Sequence, residues 1–221
     1  MGVAYNMTFP ILMTLFAIIT IAAYPRIINL YEDKIDVRPV ISKLTGYYML
    51  IALPIVIIMC IYAKDIMAVF ANEQYQNAYI LLPYFAFSAF FLSFTDYTTY
   101  QYHLSKKTYI LTTLKVVSAL IGLVLNIVLI KKFALTGVGI ATLVSNILYF
   151  LLTVTVVVPS LEWRIPFKRM LHLALCFIPT GFLWFVLCKT SIFAMLQINI
   201  LLIFYYLLFY FTKRFFKEEP V

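Results

Sequence analysis

The sequence predicts an all-α integral membrane protein, and three observations predict it. Of 221 residues, 64% are hydrophobic and 12% charged, with a mean hydropathy of +0.98, far outside the range of a water-soluble domain. The apolar residues run in stretches long enough to cross about 30 Å of hydrocarbon as helices, at about 1.5 Å per residue. The period-two alternation of a transmembrane β-barrel is absent.

Seven spans follow in order. The first, 3–24, is closed by Arg26 and followed by a loop of mixed charge reaching Lys43. The second, 44–63, bears Pro54 near its middle; proline removes one backbone hydrogen bond and kinks a helix, which a bundle tolerates where neighbours re-satisfy the freed carbonyl. IMAVFANEQYQ then reads as a short interfacial helix ending in a polar turn. The third span, 78–102, carries Pro83 and an unusually polar second half, SFTDYTTYQYHL, which is unsuited to lipid. Spans four and five, 109–130 and 138–158, flank a short glycine-punctuated turn. After SLEWRIPFKR come span six, 170–188, with Pro179, and span seven, 192–212. The basic tail KRFFKEEPV closes the chain. The expected division is 1–159, five helices, and 160–221, a terminal helix pair with its tail.

Basic residues alternate with the spans. Arg26, Lys34, Arg38 and Lys43, then Lys106 and Lys107, then Arg164, Lys168 and Arg169, then Lys213, Arg214 and Lys217 fall on one side. Lys64, Lys131, Lys132 and Lys189 fall on the other. The positive-inside rule places the first group, and the C-terminus, in the cytoplasm and the N-terminus outside. An odd number of preceding helices would account for such an N-terminus, so the chain is expected to be the second half of a larger assembly.

The net charge of +8 therefore reports topology and lipid headgroup contact rather than nucleic acid. Cys60, Cys176 and Cys188 all lie in apolar spans without metal-ligand spacing and read as buried thiols. No metal and no cofactor is expected. The longest outward loop, 64–77, offers only Asp65 and Glu73 as carboxylates, too few for a membrane glycosyltransferase or polymerase, so no enzyme is expected either.

The candidate functional residues cluster between Phe94 and Asn146. Asp96 and Lys115 sit at similar distances from the reversal near Ser105 and Lys106, and so at similar depth. A charge inside a bilayer costs at least about 2.5–3.5 kcal/mol, which makes such a residue a functional candidate with a partner to be named. The two could pair, either as a structural bridge or as part of a site. Asn126 could hydrogen-bond a neighbouring helix or a ligand. Tyr97, Tyr100 and Tyr102, with Thr98, Thr99 and Gln101, either line an aqueous cavity that contacts sugar hydroxyls or form an aromatic belt. Gly137 and Gly139 permit positive φ and close backbone approach where a helix restarts.

From Asn126, NIVLIKKFALTGVGIATLVS resembles the late-helix signature of the multidrug, oligosaccharidyl-lipid and polysaccharide exporter superfamily, in which an Asn near a helix end precedes a G-x-G-(A/I)-A-T turn. AAYPRIINLYEDKID and LPIVIIMCIYAKDIMAVFANEQYQNA resemble elements that precede it in the same order. Together they cover roughly residues 2–160 and look most like the O-antigen and capsule repeat-unit flippases. One departure is Phe133 to Leu135, where relatives often carry a glycine before the turn.

The resemblance implies helices eight to fourteen of a two-lobe, fourteen-helix transporter in a bacterial cytoplasmic membrane. Residues 1–159 would then be most of the second lobe. It implies flipping of an isoprenoid-pyrophosphate-linked oligosaccharide by alternating access, with Lys115 and Arg26 as cationic partners of the pyrophosphate, Tyr97 and Asn126 on the substrate, and Asp96 holding Lys115 or coupling an ion. The partners it implies are the lipid-linked oligosaccharide, membrane lipids, an N-terminal half in cis or a second half-transporter, and polysaccharide polymerase machinery. The alternatives are a cation-coupled multidrug exporter of the same superfamily and a truncated protein that does not transport.

Overall fold

The computed structural model describes residues 2–157 and 194–212. The predicted sixth span, Cys176, Cys188 and the basic tail lie outside them. The chain divides into two compact units, Met1–Arg164 and Ile165–Val221. In the first unit helix α1 spans Gly2–Glu32, α2 Arg38–Ile61, α3 Ala63–Phe70, a 3-10 helix Glu73–Leu81, α4 Leu82–Leu104 and α5 Thr108–Thr155. In the second, α6 spans Ala194–Thr212 and is largely apolar, with Gln197 and Asn199 in its first half. Among the described residues there is no strand, and α1, α2, α4 and α5 are each long and apolar enough to cross a membrane. This is an all-α, multi-pass membrane protein.

Two helix ends differ from the sequence reading. Arg26 does not close α1, which continues to Glu32. Arg26 is exposed, whereas Ile27 beyond it is fully buried and keeps the helix packed. The loop to α2 shrinks accordingly. Asp36 accepts a hydrogen bond from the Arg38 N–H at 3.0 Å, and Pro39 stands in the first turn of α2, where its missing N–H costs nothing.

Lys34 at φ 60° and Lys106 at φ 57° are left-handed. Each closes a helix with a pair of bonds: Lys34 N–H to Tyr31 O at 3.1 Å and Ile35 N–H to Leu30 O at 2.9 Å end α1, while Lys106 N–H to His103 O at 3.1 Å and Lys107 N–H to Tyr102 O at 2.9 Å end α4. This is the Schellman arrangement.

Helix α4 is the centre of the unit. In its most apolar stretch 61% of residues are buried, against 33% in α2 and 11% in α5, and α1, α2 and α5 all pack on it. Aromatic rings carry much of this packing. Tyr48 of α2 meets Phe16 of α1 edge-on at 5.4 Å and Phe90 and Tyr97 of α4 at 5.6 and 5.1 Å, and its hydroxyl donates to the Phe90 carbonyl at 2.7 Å. Phe94 of α4 stacks on Phe150 of α5 at 4.7 Å. At the start of α4, Phe85, Leu81 and Leu82 bury Met67 of α3 in a separate small core.

Helix α5 is two antiparallel arms, 108–133 and 135–155, joined at Ala134. The arms lie close because Gly122 has no side chain: a Cβ there would stand 2.5 Å from Ser145 Oγ. Ser145 Oγ in turn donates to the Ser118 carbonyl at 2.9 Å. At the reversal, a Cβ on Gly137 would collide with the Leu129 carbonyl, and one on Gly139 would stand 3.0 Å from Tyr84 Cβ of α4.

Both glycines serve close approach, but neither has the positive φ expected of them. That conformation falls on Ala134, at φ 49° and ψ −123°, a region suited to glycine, in the short segment where the sequence departs from the exporter pattern. Replacing Ala134 by Gly should raise the thermal unfolding temperature in detergent, through a gain of about 1 kcal/mol. Gly137→Ala should lower it, through a loss of about 1–3 kcal/mol. An Ala134→Gly variant that melts below the parent would show that the alanine is not strained.

Candidate functional site

The polar second half of α4 is buried. Tyr97, Thr98, Tyr100, Gln101 and Tyr102 are each 2% exposed or less. In hydrocarbon each of their polar groups needs a partner from the protein, and most converge on one residue of α5. Thr98 Oγ1 donates to Thr153 Oγ1 at 2.7 Å, Gln101 Nε2 to the Thr153 carbonyl at 3.0 Å and Tyr102 OH to the same carbonyl at 3.1 Å; Tyr102 OH also reaches the Val156 carbonyl. On the opposite side of α4, Tyr100 OH donates to the Thr20 carbonyl of α1 at 3.1 Å, and its ring stacks on Tyr24 at 5.8 Å. Within this unit the row is neither an aqueous lining nor an aromatic belt. It is a hydrogen-bonded core.

Asp96 stands at the edge of that core, half-buried. Its carboxyl lies within electrostatic reach of Tyr48, Tyr97, Tyr100 and Tyr149 of α2, α4 and α5. Lys115, on the first arm of α5, is exposed and also within electrostatic reach of the Asp96 carboxyl. They do not form an ion pair: among the described residues the one formed joins Arg38 Nε to Asp36 Oδ1 at 3.7 Å. Lys115 thus faces outward from the unit with its charge unpaired by contact, as does Arg26 on α1. The Tyr97 hydroxyl lies near that of Thr20 without closing a hydrogen bond.

Asn126 projects between the two arms of α5. Its Nδ2 donates to the Gly122 carbonyl at 3.2 Å, while its Oδ1 is buried without a partner. It borders an open groove of about 400 Å³ with Thr142, Ser145 and Asn146. Asn146 Nδ2 donates to Ser88 Oγ of α4 at 2.6 Å, so the two asparagines play different parts: Asn146 ties the hairpin to α4, and Asn126 bonds within its own arm at the edge of the groove.

Among the described residues no group of His, Cys, Asp and Glu could hold a metal. Cys60 is half-buried and free.

Asn146, Thr153 and Tyr48 are missing from the sequence reading. Asn146 was open to discovery, since the argument applied to Asn126, an amide in an apolar span, applies to it equally. Thr153 was not, because two of the bonds it receives go to its backbone carbonyl, which no side chain announces.

These features define a multi-pass helical membrane protein whose first unit has a polar core and outward-facing cations at its margin. No family model matches the sequence, nor does any curated protein. The fold is similar to that of a solved structure, "Lipid II flippase MurJ, inward closed conformation", with a TM-score of 0.79 over 95% of this chain at 16% sequence identity. The likeness is one of fold. The chain spans 46% of the length of that structure.

Loss of the converging bonds should be measurable on its own. Tyr102→Phe and Thr153→Val should each cost about 1 kcal/mol, the scale of an interhelical hydrogen bond in a membrane, read as a lowered unfolding midpoint in detergent. Because Tyr102 and Thr153 are in one network, the double variant should lose less than the sum of the two. Strict additivity would mean that the bonds act independently.

Proposed function

We propose that this chain is one lobe of a flippase that moves a lipid-linked oligosaccharide across the bacterial cytoplasmic membrane by alternating access, as the surface polysaccharide exporters do. The observation that carries the reading is the shared fold with a lipid II flippase over nearly the whole chain. The exporter-like motif from Asn126 onward narrows it towards an isoprenoid-pyrophosphate-linked repeat unit. The other lobe comes from further sequence on the same polypeptide or from a second half-transporter, and the substrate lies between lobes that rock about a central site. The N-terminus of this chain is then outside and its C-terminus cytoplasmic.

In this reading a pyrophosphate recruits the exposed cations. Lys115 supplies a point charge with three donors and Arg26 a bidentate fork at the cytoplasmic mouth. Asn126, on the groove beside the arms of α5, addresses sugar hydroxyls. Asp96 attracts the Lys115 charge from a distance, without an ion pair. A second reading has one observation in its favour: a half-buried carboxylate inside a membrane-length helix, with no ion-pair partner among the described residues, also suits a coupling cation, as in a cation-driven exporter.

Two experiments bear on these readings. A C-terminal tag on the native gene should reveal, in membranes, a product about twice the 25.6 kDa of this chain if the other lobe lies in cis; a product near 25 kDa requires a second half. The complete transporter, reconstituted in liposomes with a lipid-linked oligosaccharide, should make that lipid accessible from the opposite leaflet. Lys115→Ala should slow this about 10- to 100-fold, the worth of a hydrogen bond to a charged group. An unchanged rate would remove Lys115 from the site. Asp96→Asn separates the two readings: if Asp96 serves only to attract Lys115, flipping keeps its response to an imposed ion gradient, and if it couples transport, that response is lost.

A further inference from the structure

At the end of the unit where α1 and α4 stop, the chain forms an open pocket of about 790 Å³. Tyr24 and Tyr31 of α1 wall it, and Lys34, Arg38, His103 and Lys106 border it. Two acids, Glu32 and Asp36, stand there too, but Asp36 is already engaged by the N–H and the guanidinium of Arg38.

The backbone of the two lysines is the informative feature. Lys34 and Lys106 are two of the three non-glycine residues with positive φ among the described residues, and both border this one pocket. The left-handed position that ends a helix is one glycine fills without strain, whereas a side chain there costs of order 1 kcal/mol. A chain that needed only to stop two helices would be better served by glycine at both places. What lysine adds is an ammonium with three donors. The two ammonium groups are brought to one pocket from separate helices, next to an arginine and between two tyrosines.

The pocket also lies at the ends of two membrane-length helices, the level at which lipid headgroups sit and at which tyrosines present an apolar body and a polar tip. We propose that it binds the phosphate of an anionic membrane lipid. Lys34 and Lys106 contact the phosphate oxygens, and the tyrosine walls flank the glycerol and the first acyl carbons. This site is separate from the Lys115 region and does not depend on what the lobe transports.

The test uses the complete purified gene product in detergent and native mass spectrometry, with phosphatidylglycerol or phosphatidylcholine added in turn. The wild type should retain one phosphatidylglycerol at least five-fold in preference to phosphatidylcholine. The double variant Lys34→Gly with Lys106→Gly should lose that preference while melting at the same temperature or higher, since glycine suits both helix ends. Lys34→Asn with Lys106→Asn, which also suits the left-handed region, serves if the glycines loosen the turns. Equal retention of the two lipids by the wild type overturns the proposal. So does a preference that survives in a folded double variant, which would leave the lysines as counter-charges to the negative helix ends. A stabilisation by inorganic pyrophosphate in the wild type, absent from the double variant and without any preference between the lipids, would assign the pocket to a soluble phosphate instead.

Discussion

Hydrocarbon offers no hydrogen-bond partners, and the arrangement of the first unit follows from how α4 meets that constraint. A half-helix reading SFTDYTTYQYHL can lie in a membrane only if other helices accept what it donates. The Thr153 side chain and carbonyl take three of those bonds, and the Thr20 carbonyl takes a fourth from the opposite side. Helices α1 and α5 are therefore held against α4 by directional bonds as well as by packing. Helix α2 is held mainly by rings, with Tyr48 as the common neighbour of Phe16, Phe90, Phe94 and Tyr97.

Most polar side chains of α4 are spent on internal bonds, whereas Lys115 and Arg26 lie exposed at the surface of the unit. This gives the unit a bonded interior and a charged margin.

The sequence made α4 and the α5 hairpin legible for the same reason. Polarity inside an apolar stretch is conspicuous, and so is a glycine-rich turn between two spans. It showed that SFTDYTTYQYHL avoids lipid, but not which carbonyls receive it, because backbone acceptors carry no residue-specific signature. It pointed to Gly137 and Gly139 as sites of close approach, and the Leu129 carbonyl and Tyr84 are what they approach. It misplaced the left-handed residue, since propensity assigns that conformation to glycine while the geometry of the reversal assigned it to Ala134. The same substitution of context for propensity gives Lys34 and Lys106 their conformations. The end of α1 was drawn short because a charge signals the edge of the membrane, and a helix need not stop there.

The reversal at Ala134 also bears on how the protein is made. With no slack between the arms, residues 108–155 are a single helical hairpin, and a Cβ at Gly122 would already crowd Ser145 of the facing arm. A hairpin this tight favours release of the two arms from the translocation channel as a pair, with Lys131 and Lys132 near its tip. A first arm released alone would expose the Ser118 carbonyl side and the Asn126 amide to lipid before Ser145 and the second arm had emerged to cover them. The tight turn that shapes the folded hairpin thus also favours its insertion as one piece.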